Sequence, residues 1–143
     1  MSSRVRGHNA SRGHGVLPVA RELTEQTFRH PDIPAVRRVA AVFGTRAGMG
    51  TAQLSDFVQA VSEAAACTVA QGPCTARMRL WTMGSRVFCE MSGDGMLWAD
   101  RPLAGRRGDE ERLRRWLLPR LCDHASVESG PQGVTVLLSM KVG

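Results

Sequence analysis

From Leu23 to Phe28 apolar residues alternate with Thr and polar residues. Period-two alternation over so short a run predicts a strand, here an edge strand. The period changes after Pro31-Asp32-Ile33-Pro34. Val36, Val39, Ala40 and Phe43 recur at helical spacing, so a helix is expected to open there and run through Phe43, with Asp32 as its cap and a proline in its first turn. Arg37 and Arg38 then fall on its outer side. Gly44 to Gly50 reads as a loop. A second helix follows, capped by Thr51, in which Leu54, Phe57, Val58, Val61, Ala64, Ala65 and Thr68 keep the helical period, and Gly72-Pro73 stops it.

The second half returns to strands. Ala76 to Thr82 and Arg86 to Met91 are two alternating runs around Gly84-Ser85, the pattern of a two-residue hairpin. Ser92 to Gly108 reads as irregular. Asp109 to Leu121 is amphipathic, with Leu113, Trp116, Leu117 and Leu121 as its apolar stripe and Pro119 as a residue that shortens or kinks it. Val127 and Val134 to Val142, separated by Gly130-Pro131-Gln132-Gly133, make a closing hairpin. Strand, helix, helix, hairpin, helix, hairpin is an α+β order: a two-layer sandwich of about three helices on one mostly antiparallel or mixed sheet.

Composition adjusts this picture at the ends and in the chemistry. The chain has 143 residues, 43% of them hydrophobic, which suits one domain with a single core. Residues 1–20 are rich in Arg, Gly, His and Ser, with no acidic residue, and read as a flexible basic tail ahead of a domain over 21–143. The net charge is +6, and every basic residue except Lys141 is arginine. Such a balance predicts attraction to acidic partners without choosing among them. Cys67, Cys74, Cys89 and Cys122 are irregularly spaced and suit no zinc or redox motif. His8 and His14 have no further ligands to complete a site, so no metal is expected. Neither a secretory segment nor an apolar run of the roughly 20 residues that a bilayer demands is present, and a cytoplasmic protein with reduced thiols and no membrane contact is expected. Trp81 and Trp116 are expected in the core and Trp98 at an exposed position; scattered tryptophans offer no stacking platform, which makes nucleic acid an unlikely partner.

The order of elements, together with the stretches Leu54 to Gln71, Arg86 to Gly95 and Ala125 to Val142, resembles the anti-sigma-factor serine kinases of the histidine-kinase-like ATPase superfamily, and the resemblance spans about Thr24 to Val142. It implies the histidine-kinase-like ATPase fold. It also implies an ATP site on four groups of residues. Glu63 occupies the position of the catalytic carboxylate, which in relatives activates the attacking hydroxyl. One helical turn on, where relatives keep a magnesium-ligating Asn, stands Cys67, and a thiol is a poor ligand for so hard a cation.

The remaining positions depart in the same direction. The D-x-G-x-G motif whose Asp accepts from the adenine amino group corresponds to Gly93-Asp94-Gly95-Met96-Leu97, with Gly93 in place of the Asp. Asp94 lies one residue out of register for that role. The glycine-rich lid corresponds to Gly108-Asp109-Glu110-Glu111, where three carboxylates at a helix start repel a triphosphate and Arg106 and Arg107 stand near to offset them. The hairpin Thr that fixes adenine is replaced by Val134.

The resemblance with its departures implies a non-catalytic anti-sigma-factor-like regulator of transcription, a pseudokinase that works by protein-protein binding in a partner-switching system. Relatives form homodimers and hold a sigma factor until a STAS-domain anti-anti-sigma protein competes, and carry-over points to the first strand and to Arg37 and Arg38 on the first helix. No cofactor is expected. One alternative is an active serine kinase that binds ATP with magnesium and phosphorylates a STAS protein, using Glu63 as base and Asp94 as a relocated adenine acceptor. Another is a nucleic-acid-binding module acting through the arginine-rich tail.

Overall fold

The computed structural model describes residues 21–69, 74–93, 105–130 and 133–142. The basic tail, Gly72-Pro73, Asp94, Gly95, Trp98 and Pro131-Gln132 lie outside them. Five strands and three helices make up the described structure: β1 (Arg21–Phe28), α1 (Ile33–Arg46), α2 (Thr51–Thr68), β2 (Ala76–Met83), β3 (Arg86–Gly93), α3 (Gly105–Leu121), β4 (His124–Gly130) and β5 (Gly133–Lys141). The strands form one sheet in the order β1-β2-β3-β5-β4. All four pairings are antiparallel, so the sheet is not mixed. The expected α+β class and the edge position of β1 stand.

Alternation decides which side of the sheet is covered. Ala76, Met78 and Leu80 of β2, Cys89 and Met91 of β3, and Val134, Val136 and Leu138 of β5 point into the one core, where they meet Val36, Ala40 and Phe43 of α1 and Phe57, Ala60, Val61, Ala64 and Ala65 of α2. On the opposite face Trp81 and Phe88 are direct cross-strand partners. Their rings stack with centroids 5.3 Å apart and planes 5° from parallel. Trp81 is therefore buried as expected, but it stands apart from the main core. Arg79 on the same face bridges Glu25 of β1 at 2.9 Å and Glu90 of β3 at 3.8 Å.

Several local expectations need correction. Helix α1 runs past Phe43 to Arg46, and Gly44 is a buried helical residue, not the start of a loop. Its missing side chain has a cause: a Cβ there would lie 2.7 Å from Leu54 Cδ1 of α2, so glycine permits the two helices to approach. Asp32 holds the N-cap position of α1 but makes no side-chain cap bond to it; its Oδ2 accepts from Arg29 N at 2.9 Å and closes the preceding 3-10 turn. Thr51 is the first residue of α2, and the cap belongs to Gly50. Helix α3 begins at Gly105, inside the stretch read as irregular, so Asp109 and Glu110 lie in its second turn and not at its start.

The apolar stripe of α3 is also turned. Leu118 is fully buried, whereas Leu113 and Trp116 are 54% and 52% exposed. Arg114 faces α2, which carries Leu113 and Trp116 outward, and the Arg120 guanidinium lies 3.8 Å over the Trp116 ring. Trp116 is thus not a core residue. Pro119 sits inside the helix, near its end. Among the described residues no helix is long and apolar enough to cross a membrane.

Helix and sheet meet tightly at Gly93. A Cβ on this residue would stand 2.5 Å from the Thr68 backbone carbonyl oxygen, so any side chain must push the end of α2 from the sheet. Gly93→Ala is expected to destabilise the fold by about 1–3 kcal/mol, the usual range for overpacking against an unyielding neighbour. Gly50→Ser is the control, because a Cβ at Gly50 meets nothing within 4 Å. Urea unfolding of both variants measures the difference; equal midpoints would show that the contact at Gly93 relaxes freely.

Candidate functional site

Of the expected ATP-site positions, Glu63 and Cys67 lie in the C-terminal half of α2, and Gly93 and Val134 lie in the adjoining ends of β3 and β5. Helix α2 carries a small-residue face, Ala60, Ala64 and Ala65, that lies on the sheet and brings the helix close to it. Its outer side carries Ser55, Gln59, Ser62 and Glu63. These line a groove of about 510 Å³ together with Thr51, Leu54, Val58 and Arg37 from α1.

Glu63 is three-quarters buried at its side chain, and its Oε1 lies 3.4 Å from Arg114 Nε of α3. The approach is close enough for charge attraction. It is not aligned as a hydrogen bond, and Arg114 Nε has no hydrogen-bond partner of its own. The carboxylate therefore joins α2 to α3 as half of an ion pair. Arg114 was not singled out in the sequence, because its partner lies on another helix and no spacing within α3 points to it.

Cys67 follows Glu63 by one turn but does not share its groove: it is fully buried in the core, where the last turn of α2 sinks against the sheet. The adjacent Thr68 is also fully buried. Its hydroxyl donates to Ala65 O at 3.0 Å, and its carbonyl accepts from the Cys74 thiol at 3.4 Å. That same carbonyl faces Gly93. Gly93 in turn pairs with Val134 across β3 and β5. Val134 is 1% exposed and points into the core, which leaves Thr135 on the other face.

The structure thus brings Gly93 and Val134 side by side beneath the end of α2, with Cys67 nearby in the core and Glu63 outside on the groove. Asp94 and Gly95 fall outside the described residues, as do the side chains of Arg106, Arg107 and Glu111. Asp109 is ion-paired to Arg112 within α3. Among the described residues no three of His, Cys, Asp and Glu gather as metal ligands do.

Arg37 and Arg38 are exposed, but they do not form one face. Arg37 lines the groove along α2, whereas Arg38 lines a separate cavity between α1 and β1. Consecutive residues on a helix point about 100° apart, which is enough to send neighbours to different sides.

The thiols are tuned toward inertness. Burial, reinforced by Cys122 once that thiol has ionised and by the Glu90 carboxylate, pushes the Cys89 thiol far above its ordinary range. Burial and then the Asp123 carboxylate push Cys122 up to about 11. Since the thiolate is the reactive form, iodoacetamide at pH 8 is expected to modify part-exposed Cys74 first, with Cys67 and Cys89 modified only on unfolding; mass spectrometry of the peptides reads the order, and early modification of Cys67 would contradict its place in the core.

The ion pair allows a second expectation. Both side chains are about one-quarter exposed, so the coupling of Glu63 to Arg114 in a double-mutant cycle with alanine is expected to be favourable, between a few tenths and about 1 kcal/mol. Chemical denaturation of the four proteins measures it, and additive single effects would show that the two side chains do not interact.

No protein-family model and no curated protein matches the chain, so the functional reading rests on these residues and their placement.

Proposed function

We propose that the protein is a non-catalytic regulator that works by binding another protein, built on a histidine-kinase-like ATPase framework whose nucleotide site is closed. The observation that carries this reading is the contact at Gly93. In the resemblance this position belongs to the carboxylate that accepts from adenine, and here a Cβ would already lie 2.5 Å from a backbone carbonyl of α2. A longer acidic side chain cannot stand there unless the end of α2 moves. Val134 beside it turns an apolar side chain into the core where relatives place a hydroxyl.

Two further observations support the same reading. Cys67 is buried in the core and offers neither an oxygen ligand nor an approach for magnesium beside Glu63. Glu63 pairs with Arg114 of the neighbouring helix, a structural use for a carboxylate whose metal partner is gone. Among the basic side chains exposed on the surface are Arg37, Arg38 and Arg46 of α1. In this reading a homodimer holds a sigma factor, or a STAS-domain antagonist of one, through α1 and β1, and release follows from competition between partners without any phosphate transfer.

Isothermal calorimetry with magnesium-ATP tests the closure. Binding is expected only at about millimolar level or not at all, which corresponds to about 4 kcal/mol or less of binding free energy. Restoring Asn at Cys67 alone should not recover it, because the positions at Gly93 and Val134 remain closed. Micromolar affinity in the unaltered protein, or transfer of the γ-phosphate to a STAS protein that is lost in Glu63→Ala, would establish the active-kinase alternative instead.

A further inference from the structure

Arg38, Val42 and Arg46 follow one another at four-residue spacing along α1, and an i, i+4, i+8 series stands in one row on a helix. Together with Val39, Phe43 and Thr24 of β1 they line a cavity of about 330 Å³ between α1 and the edge strand. Among the described residues the lining is basic at both ends and apolar between them. Val42 is 54% exposed in the middle of the row. Arg38 and Arg46 are exposed, and neither forms an ion pair with any other described residue. Two exposed guanidinium groups flanking an uncovered valine make a surface with a definite complement.

We propose that this groove docks an acidic amphipathic helical segment of a partner protein. The occupant seats one branched apolar side chain against Val39, Val42 and Phe43, and it sets carboxylates against Arg38 and Arg46. The spacing defines it further. Eight residues of helix separate the two arginines by about 12 Å along the axis, so a partner helix lying alongside meets both with acidic residues about eight apart and an apolar residue midway.

Charge and shape select this occupant over two others. A nucleic-acid backbone would engage the guanidinium groups but leave the apolar floor uncovered, and Phe43 is too deeply buried to stack on a base. A second copy of the chain meeting groove to groove would bring Arg38 and Arg46 against their own equivalents, a like-charge contact that disfavours association. The proposal deepens the partner-binding reading above and rests on it: it assigns Arg38 with Arg46, and not Arg37, to the contact and states the partner's chemistry.

The probe is a fluorescein-labelled, alanine-based helical peptide with a central Leu and Glu four residues to each side, compared with versions carrying Gln for Glu or Ser for Leu. Fluorescence anisotropy is expected to show saturable binding of the first peptide, weakened at least about tenfold in either altered peptide and in the V42D and R38E/R46E proteins. R37E should bind as the unaltered protein does. All three proteins are altered only at exposed positions, and circular dichroism with thermal melting verifies that they fold. Amide shift changes in NMR should centre on Arg38 to Arg46 and Leu23 to Thr24.

Absence of saturable binding, equal binding of the Gln peptide, or loss of binding in R37E alone would overturn the proposal. So would equal competition by an oligothymidylate of matched charge, which would assign the groove to nucleic acid, or a dimer that becomes a monomer in V42D by analytical ultracentrifugation, which would assign it to a second copy. Micromolar magnesium-ATP binding sinks the non-catalytic reading and leaves the peptide measurements to stand or fall separately.

Discussion

The approach of α2 to the middle of the sheet is the constraint on which the other features depend. Its inner face includes three alanines, Ala60, Ala64 and Ala65, among the larger Phe57 and Val61, and its last turn ends with the Thr68 carbonyl close to Gly93. A helix lying this low draws the other helices with it. Gly44 removes the side chain that would hold α1 away from α2, and Arg114 of α3 reaches Glu63 from the other side. The interior is close-packed, so one added carbon at these positions is felt throughout the contact. Each small residue is therefore read best as part of one packing arrangement.

That arrangement also explains which parts of the fold were legible in the sequence. Strand alternation and the Gly84-Ser85 turn depend on local periodicity, and β1, β2, β3 and the closing hairpin lie where they were expected. Elements whose limits depend on tertiary contact moved. Gly44 looks like a helix breaker because glycine has low helix propensity, yet inside α1 the room that it leaves for Leu54 outweighs that cost. In α3 the spacing of Leu113, Trp116, Leu117 and Leu121 suggested one buried stripe. The pairing of Arg114 with Glu63 selects a neighbouring stripe centred on Leu118, and no periodicity within α3 carries that information.

The candidate site was legible to the same extent. Gly93 and Val134 were singled out as departures from a pattern, and they are direct neighbours across β3 and β5. Their physical cause was hidden, because the atom that excludes a side chain at Gly93 belongs to a residue 25 positions earlier in the chain, Thr68. The magnesium position differs in kind. At Cys67 the change of residue type was visible, but its burial in the core follows from the depth of α2. Chemistry was thus read from residue identity, and access to it was set by packing.

The surface divides along the same line. A helix covered on one side by α2 and the sheet presents its remaining residues over a wide arc, and Arg37 and Arg38 lie toward opposite edges of that arc. One edge shares its groove with Glu63, whose charge a neighbouring arginine already offsets. The other edge holds Arg38, Val42 and Arg46 beside an open strand, with no carboxylate among the described residues that line the cavity. Adjacent residues that were expected to act as one basic face serve two surfaces of different electrostatic character. A contact that depends on α1 is consequently not described by counting its arginines; the direction of each along the helix, and the apolar residue one turn away, decide what it can hold.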